Sequence, residues 1–243
     1  MANNNEPRVN NVTSSTEVRR ILLDLSDRMV QSFNQVLNET SNDPEYTRYF
    51  ADGMVLSVGK TFAPSLARYI TCAVGSLWLP FPFEAVFDLL SKENRRHEWD
   101  IFSCRNPVRE FSNIQGGTDV GNRISIIKPS FHGNMLIIQQ TCTNPSESSV
   151  VYTATYEPKV NAAARGLLQP SQLDIYASGF VISKDGCEAS NTENAPRTGR
   201  CLLTMAFQIP SSSGPAMTRE GSVASSHMIF MNTIGNIKRA LSS

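Results

Sequence analysis

The stretch ENRRHEWD, residues 93–100, gathers side chains that could carry out acid–base chemistry. It holds one histidine, two glutamates, one aspartate and two arginines around Trp99, directly after the apolar run WLPFPFEAVFDLL. A histidine beside carboxylates is a common composition for general acid–base catalysis. The same residues are typical of the solvated end of a helix, with Trp99 as the anchor that returns the chain to the core. The residue types alone leave both interpretations open.

Other catalytic or metal-binding motifs are weak. Gly59-Lys60-Thr61 resembles the end of a phosphate-binding loop, but Met54 stands where that motif needs its first glycine, so a strand end is favoured. The histidines at 97, 132 and 227 are far apart, and none has metal-ligand spacing. His227 lies on an apolar helical stripe, which favours a core role. No serine sits in a Gly-x-Ser-x-Gly elbow. We therefore predict no enzymatic activity, no metal and no cofactor.

Composition limits the other function classes. Of the 243 residues 40% are hydrophobic and 18% are charged, which is enough for a substantial core. Lys plus Arg equals Asp plus Glu at 22 each, so the basic excess typical of a nucleic-acid-binding chain is missing. Direct DNA or RNA binding by this chain is not expected.

Targeting signals point to the cell interior. The N-terminus MANNNEPRVNNVTSS lacks the apolar core of a secretory signal, and YITCAVGSLWLPFPF is too short for a membrane span and carries two prolines. Five cysteines with no close pairing are typical of free thiols in a reducing compartment. An intracellular, soluble protein is predicted.

Hydrophobic periodicity predicts a disordered tail over residues 1–13 and a single domain over residues 14–243. An amphipathic helix is expected from Ser14–Thr16 to about Asn42-Asp43-Pro44, and a short helix over residues 82–91. Strands are predicted at MVLSVGKTF, YITCAVGSLWL, NPVREFSNI, NRISIIKPS, NMLIIQQTCT, SVVYTATYE, DIYASGFVIS and RCLLTMAFQIP. Hairpin turns are expected at Gly116-Gly117 and Asn144-Pro145-Ser146. A long terminal helix begins near Thr218. This order predicts an α+β fold with helices on one face of an antiparallel sheet.

The terminal helix has two interpretations. Its apolar stripe either packs as ordinary core or covers a concave sheet and leaves an apolar cavity. Gly221, Ala224, Ser225 and Ser226 are small and fill little volume. Apolar cavities with few polar groups are where lipids bind. If a ligand binds, alternation and helical spacing place Tyr152, Met205, Phe207 and Phe230 on its walls.

The run SLWLPFPFEAVFDLLSKENRRHEWDIFS, residues 76–103, is similar to the region that follows the START domain in plant class IV homeodomain–leucine zipper transcription factors. Similarity continues through REFSNIQGGTDVGNRISII, NMLIIQQTCT, SSVVYTATYE, SGFVISKDG and LLTMAFQI, and reaches back to RRILLDLSDRM. The resemblance implies a START-like helix-grip fold, in which a curved antiparallel sheet packs around a long C-terminal helix. It also implies that Trp99 is a structural anchor and that Arg95, Arg96, His97 and Glu98 are its solvated or ion-paired surroundings.

The resemblance implies a non-enzymatic regulatory module of a nuclear transcription factor that responds to a lipid or sterol and has protein partners or forms a homodimer. The homeodomain, the zipper and the START domain of that family are not in this sequence, so DNA binding is not carried over. Two alternatives remain: a stand-alone START-like lipid-binding protein and an enzyme on the same scaffold. Fold alone does not decide among them.

Overall fold

The computed structural model describes residues 16–39, 47–51, 54–63, 68–103, 106–115, 122–130, 133–185, 199–210 and 219–243. The helices within these ranges are α1 (Thr16–Glu39), α2 (Phe83–Ser91), α3 (Arg96–Trp99), α4 (Glu157–Ala164) and α5 (Arg219–Ser242). The strands are β1 (Thr47–Ala51), β2 (Met54–Ala63), β3 (Arg68–Leu79), β4 (Val108–Gln115), β5 (Arg123–Pro129), β6 (Met135–Thr143), β7 (Glu147–Tyr156), β8 (Ser178–Lys184) and β9 (Cys201–Pro210).

The described strands form one antiparallel sheet in the order β1-β2-β3-β9-β8-β7-β6-β5-β4. In the first three strands and in the last six, each strand pairs with the next one along the chain, and these two groups join where β3 pairs with β9. The register between β4 and β5 shifts at Glu110/Ser112, an irregularity of the kind that bends a strand.

One face of the sheet, here called the α1 face, is covered by α1 and α4. The α1 stripe from Val18 to Val36 is almost fully buried. Its first half packs on Leu136 and Ile138, and its second half on Val151 and Ala206. Polar contacts reinforce the packing, since Ser26 Oγ donates to Gln140 Oε1 at 2.5 Å.

The opposite face, here called the α5 face, carries α2, α3 and α5. Strand residues alternate between the faces, so Tyr152 and Phe180 lie on the α5 face while their neighbours Val151 and Gly179 lie on the α1 face. Leu203, Met205 and Phe207 form one cluster with residues of α2 and α5. The long C-terminal helix therefore lies across the sheet, and the predicted helix-grip architecture is confirmed.

The prediction differed from the structure in three places. Strand β1 and helix α4 were not expected, because both are short and weakly patterned. Helices were expected on one face only, whereas α1 and α4 cover the other. Gly59-Lys60-Thr61 lies inside β2, as the strand interpretation predicted. The proposed disordered tail, Gly116-Gly117 and His132 lie outside the described residues.

Gly179 on β8 lies close to the backbone of β7 and to α1. A Cβ at this position would lie 2.5 Å from the Val150 carbonyl oxygen, 2.9 Å from the Val151 Cα and 3.1 Å from the Phe33 ring. Because the first two are backbone atoms of β7, Gly179→Ala is expected to lower the free energy of unfolding by about 1–3 kcal/mol. Chemical denaturation measures this loss.

The matched control is Gly235→Ala on α5, where an added Cβ meets nothing within 4 Å. It should raise the free energy of unfolding by roughly 0.5–1 kcal/mol, because alanine is the better helix former. Equal effects of the two substitutions would contradict the close approach described at Gly179.

Candidate ligand-binding cavity

The segment that follows α2 runs along the α5 face in three short turns. A 3₁₀ turn at Glu93–Arg95 leads into α3, and a second 3₁₀ turn covers Ile101–Ser103. Asp100 joins the last two turns, since its Oδ1 accepts from the Phe102 backbone N–H at 2.9 Å and its carbonyl accepts from Ser103 Oγ at 2.7 Å. A helix of four residues has little stability of its own, so contacts with the sheet must hold this segment.

Arg96 makes the central contact. Its side chain is 2% exposed, and its Nε donates to Asp100 Oδ2 at 2.7 Å. A second guanidinium nitrogen donates to Gln139 Oε1 on β6 at 2.9 Å. The guanidinium carbon lies 4.1 Å from the centre of the Tyr152 ring and 4.8 Å from that of Trp99. The buried charge is therefore paired, hydrogen-bonded and held between two aromatic faces.

Two further polar contacts dock the segment. Gln139 Nε2 donates to the Ser91 carbonyl at 2.8 Å, which ties β6 to the end of α2. Glu93 is buried and accepts from Ser125 Oγ at 2.5 Å and from the Arg123 guanidinium. Gln139 is the cross-strand partner of Tyr152, so this network lies on the α5 face.

Aromatic rings extend from this network into the core. Trp99 is 1% exposed and meets Phe180 edge-on at 5.1 Å between ring centres. Phe180 meets Phe207 at 6.3 Å, and Phe207 meets Phe230 of α5 at 6.1 Å, both close to perpendicular. These edge-to-face contacts fill one part of the space between the sheet and α5.

Another part of that space is a cavity of about 520 Å³. It lies between the sheet, α5 and the segment that carries α3. Most of its walls are apolar, and they are formed by Phe102, Val108, Pro129, Met135, Ile137, Ala154, Phe207, Ile209, Pro210 and Ile229. The polar or ionisable residues in the lining are Arg96, Asp100, Ser103, Tyr152, Tyr176, Ser178 and Gln208. The size and composition are those of a small-molecule site.

Burial differs between the two faces at this end of the sheet. On β6, Leu136 and Ile138 are buried against α1, whereas Met135 and Ile137, which face the cavity, are only half-buried. Ala154, the cross-strand partner of Ile137, is exposed. The α5 face is thus filled where the aromatic rings meet and hollow beside them.

Two tyrosines of the lining carry buried hydroxyl groups. Burial, with the Asp100 carboxylate adding to it and Arg96 opposing it, raises the pKa of the Tyr152 hydroxyl above its ordinary value, so this residue stays neutral. The Tyr176 hydroxyl oxygen is buried and has no hydrogen-bond partner among the described residues. A buried hydroxyl without a partner is unusual.

The residues predicted on the ligand walls fall into two groups. Tyr152 and Phe207 line the cavity. Met205 and Phe230 are fully buried in the adjoining core and are not part of the lining. His227 is half-buried on α5, away from the lining.

The stretch 93–100 is not uniformly solvated. Arg95 pairs with Glu98 at 2.8 Å near the surface, whereas Arg96 and Asp100 are buried. Sequence reasoning missed Arg96, Asp100 and Tyr176 as cavity residues. The Arg96/Asp100 spacing of four indicates a pair on one helix face, but it does not indicate that the pair is buried.

A comparison with protein families matches residues 15–243 to the PDF2-like C-terminal domain. The chain belongs to this family. The resemblance to the C-terminal region of plant homeodomain–leucine zipper factors is thereby confirmed.

The PDF2-like chain is 31% identical to the homeobox-leucine zipper protein HDG11 of Arabidopsis thaliana over 95% of its own length and 33% of that protein. It is 32% identical to ROC8 of Oryza sativa subsp. japonica over 93% of this chain and 35% of that protein. It therefore spans about a third of the length of these curated relatives. Among solved structures, human StAR-related lipid transfer protein 5 matches with a TM-score of 0.49 and 13% identity, covering 93% of this chain and 96% of that chain.

The residues that the structure describes contain no cluster of histidine, cysteine and acidic side chains able to hold a metal ion. None of their helices is both long enough and apolar enough to cross a membrane.

The burial of the Arg96–Asp100 pair predicts how substitutions at these residues change the free energy of unfolding. Arg96→Met leaves the Asp100 carboxylate buried without its partner and should lower the free energy of unfolding by about 3–5 kcal/mol. Adding Asp100→Asn removes that charge while retaining an acceptor for the Phe102 N–H, so the double variant should recover much of the loss. Urea denaturation of both variants measures this.

The neighbouring Arg95→Met is the matched control. Arg95 is 30% exposed, and its pair with Glu98 lies near solvent, so the change should be about 0–1 kcal/mol. If Arg96→Met lowered the free energy of unfolding no more than Arg95→Met does, this would be inconsistent with a buried Arg96–Asp100 pair that holds the segment.

Stability at alkaline pH should depend on Tyr152. An unfolded tyrosine ionises near pH ~10, whereas burial raises the pKa of the folded side chain above that value. The unfolded state therefore loses its proton first, and the free energy of unfolding falls by up to about 1.4 kcal/mol per pH unit above pH ~10.

In denaturation between about pH 8 and pH 11, Tyr152→Phe should lessen this fall relative to the wild type. Tyr156→Phe is the control, because Tyr156 is 45% exposed, and its profile should run parallel to the wild type. Parallel profiles for all three proteins would show that Tyr152 does not retain its proton in the folded state.

Proposed function

We propose that this chain is a non-enzymatic regulatory module of a plant homeodomain–leucine zipper factor and that it binds a hydrophobic ligand in the cavity. Membership of the PDF2-like family supports the regulatory role. The observation that carries the ligand proposal is the apolar cavity of about 520 Å³ between the sheet and α5. A ligand there would cover the half-buried side chains of Met135, Ile137, Ile209 and Ile229.

Ligand binding would act on the domain through its stability. A molecule that binds the folded chain and not the unfolded chain stabilises the fold in proportion to the logarithm of its concentration. The contacts of the ligand with the cavity lining would also hold α5 and the 96–103 segment against the sheet, because both elements contribute to that lining. The surfaces of these two elements would then differ between the ligand-bound and the ligand-free domain, and protein partners in the nucleus would recognise that difference.

Ala154→Phe tests the proposal by filling the cavity. Ala154 lines the cavity and is solvent-exposed rather than packed, so the larger ring has room. At a hundred times its dissociation constant, a ligand should add about 2.7 kcal/mol, or roughly 5–10 °C of Tm for a domain of this size. This shift, measured with a panel of sterols and single-chain lipids, should disappear in Ala154→Phe.

The control is Ala224→Phe, an equal change in volume at an exposed position of α5 outside the lining. It should retain the ligand shift. In plant cells, the wild-type chain fused to a DNA-binding domain should change the output of a reporter, and Ala154→Phe should alter that change. The proposal would be contradicted if no lipid shifted the Tm of the wild-type chain and if the wild-type chain and Ala154→Phe gave identical reporter output.

A further inference from the structure

The two edges of the sheet differ in how they are protected against pairing with another strand. Within the part of the chain that the structure describes, β1 and β4 end the sheet, so each has one side without a neighbouring strand. Exposed edge strands pair with other chains unless charges, prolines or bulges prevent it. We infer that β1 is a self-association site, at which β1 of a second copy of this chain adds in the antiparallel direction. This surface lies outside the cavity, and the inference is independent of the proposed function.

Strand β4 carries the features that prevent edge pairing. Its register against β5 shifts between Glu110 and Ser112, and an irregularity of this kind bends a strand away from a straight partner. Arg109, Glu110 and Asn113 are exposed along it, and the Asn113 side-chain amide donates to the Glu110 carboxylate at 2.7 Å. Charged side chains on an edge oppose the addition of a further strand. The β4 edge is therefore protected.

Strand β1 lacks these features. Its five residues, Thr47–Ala51, contain no proline, and they pair with β2 in one unbroken register from Thr47↔Val58 to Ala51↔Met54. Phe50 is 74% exposed, although phenylalanine is among the residues most often buried. Arg48, two residues earlier and therefore on the same face of the sheet, is also exposed. The β1 edge is thus straight and carries an aromatic ring that is largely in contact with solvent.

The sequence of β1 is complementary to itself in the antiparallel direction. When two copies pair about Tyr49, residue 48 of one copy lies opposite residue 50 of the other copy. Residues that lie directly opposite each other point to the same face of the sheet. Arg48 of each copy then lies across from Phe50 of the other, so two guanidinium–ring pairs form, and such pairs are attractive. The two arginines are not opposite each other, so like charges do not oppose this register.

Pairing of β1 with β1 also limits the assembly to two copies. Both copies use the same edge, so a two-fold axis relates them, as in most protein dimers. The outer edges of the resulting sheet are then the two protected β4 strands. Pairing of β1 with β4 would instead leave an open edge at each end and continue into a filament. A contact between two short strands is smaller than a standard stable interface, so we expect weak association with a Kd above about 1 µM.

Charge substitutions at residue 50 test both the site and its register on the whole chain. Sedimentation of the wild type from about 1 to 300 µM should show a monomer–dimer equilibrium that depends on concentration. Phe50→Lys places a like charge opposite Arg48 of the second copy and should weaken dimerisation at least about five-fold. Phe50→Glu removes the same ring but places a carboxylate there, so its dimer should persist at low salt and weaken as salt is added.

A double variant and a control separate the contact from effects on folding. Arg48→Glu combined with Phe50→Lys exchanges the two charges, so opposite charges face each other again and dimerisation should recover to within about five-fold of Phe50→Glu. A variant that had lost its fold would not recover. Leu167→Lys is the matched control, because it places the same charge at an apolar side chain that is 77% exposed and lies outside β1. It should dimerise like the wild type.

Three outcomes would overturn the inference. The first is a wild-type chain that stays monomeric over the whole concentration range. The second is a dimer whose affinity is unchanged in Phe50→Lys, because the contact would then lie elsewhere. The third is a dimer that Phe50→Glu weakens as much as Phe50→Lys does, which would exclude the register centred on Tyr49. None of these outcomes bears on ligand binding in the cavity.

Discussion

The burial of Arg96 is the interaction on which the site depends. Transfer of a guanidinium ion out of water is strongly unfavourable unless its charge and its hydrogen bonds are satisfied. Asp100, Gln139 and the rings of Trp99 and Tyr152 provide this together. The turns over residues 93–103 are too short to be stable alone, so this network fixes one wall of the cavity. Two of the residues that suggest acid–base chemistry in the sequence, Arg96 and Asp100, are thus buried and paired with each other.

The two faces of the sheet differ in how completely their side chains are packed. The α1 face is closely packed, with aliphatic side chains from α1 and α4 meeting those of the strands. On the α5 face, rings from Trp99 to Phe230 fill one part and leave the other part open. One face of the sheet is therefore closely packed, and the opposite face is partly hollow.

Sequence reasoning recovered the parts of the fold that depend on local patterns. The long stripe of α1, the alternation in β9 and the β6–β7 turn all follow from neighbours in the chain; at that turn the Asn144 N–H donates to the Glu147 carbonyl. The burial of Arg96 depends on Gln139 and Tyr152, which are more than forty residues away. A pair spaced four apart looks the same on a solvated helix. The sequence did not indicate the cavity either. The alternation of apolar residues along a strand shows which face of the sheet is apolar, but not how far α5 lies from that face.

The hollow also links stability to ligand chemistry. Natural domains are stable by only about 5–15 kcal/mol, and the half-buried walls of the cavity are apolar area that this fold leaves uncovered. A ligand that covers them contributes free energy only to the folded state. The amount of folded module would then follow the concentration of the ligand.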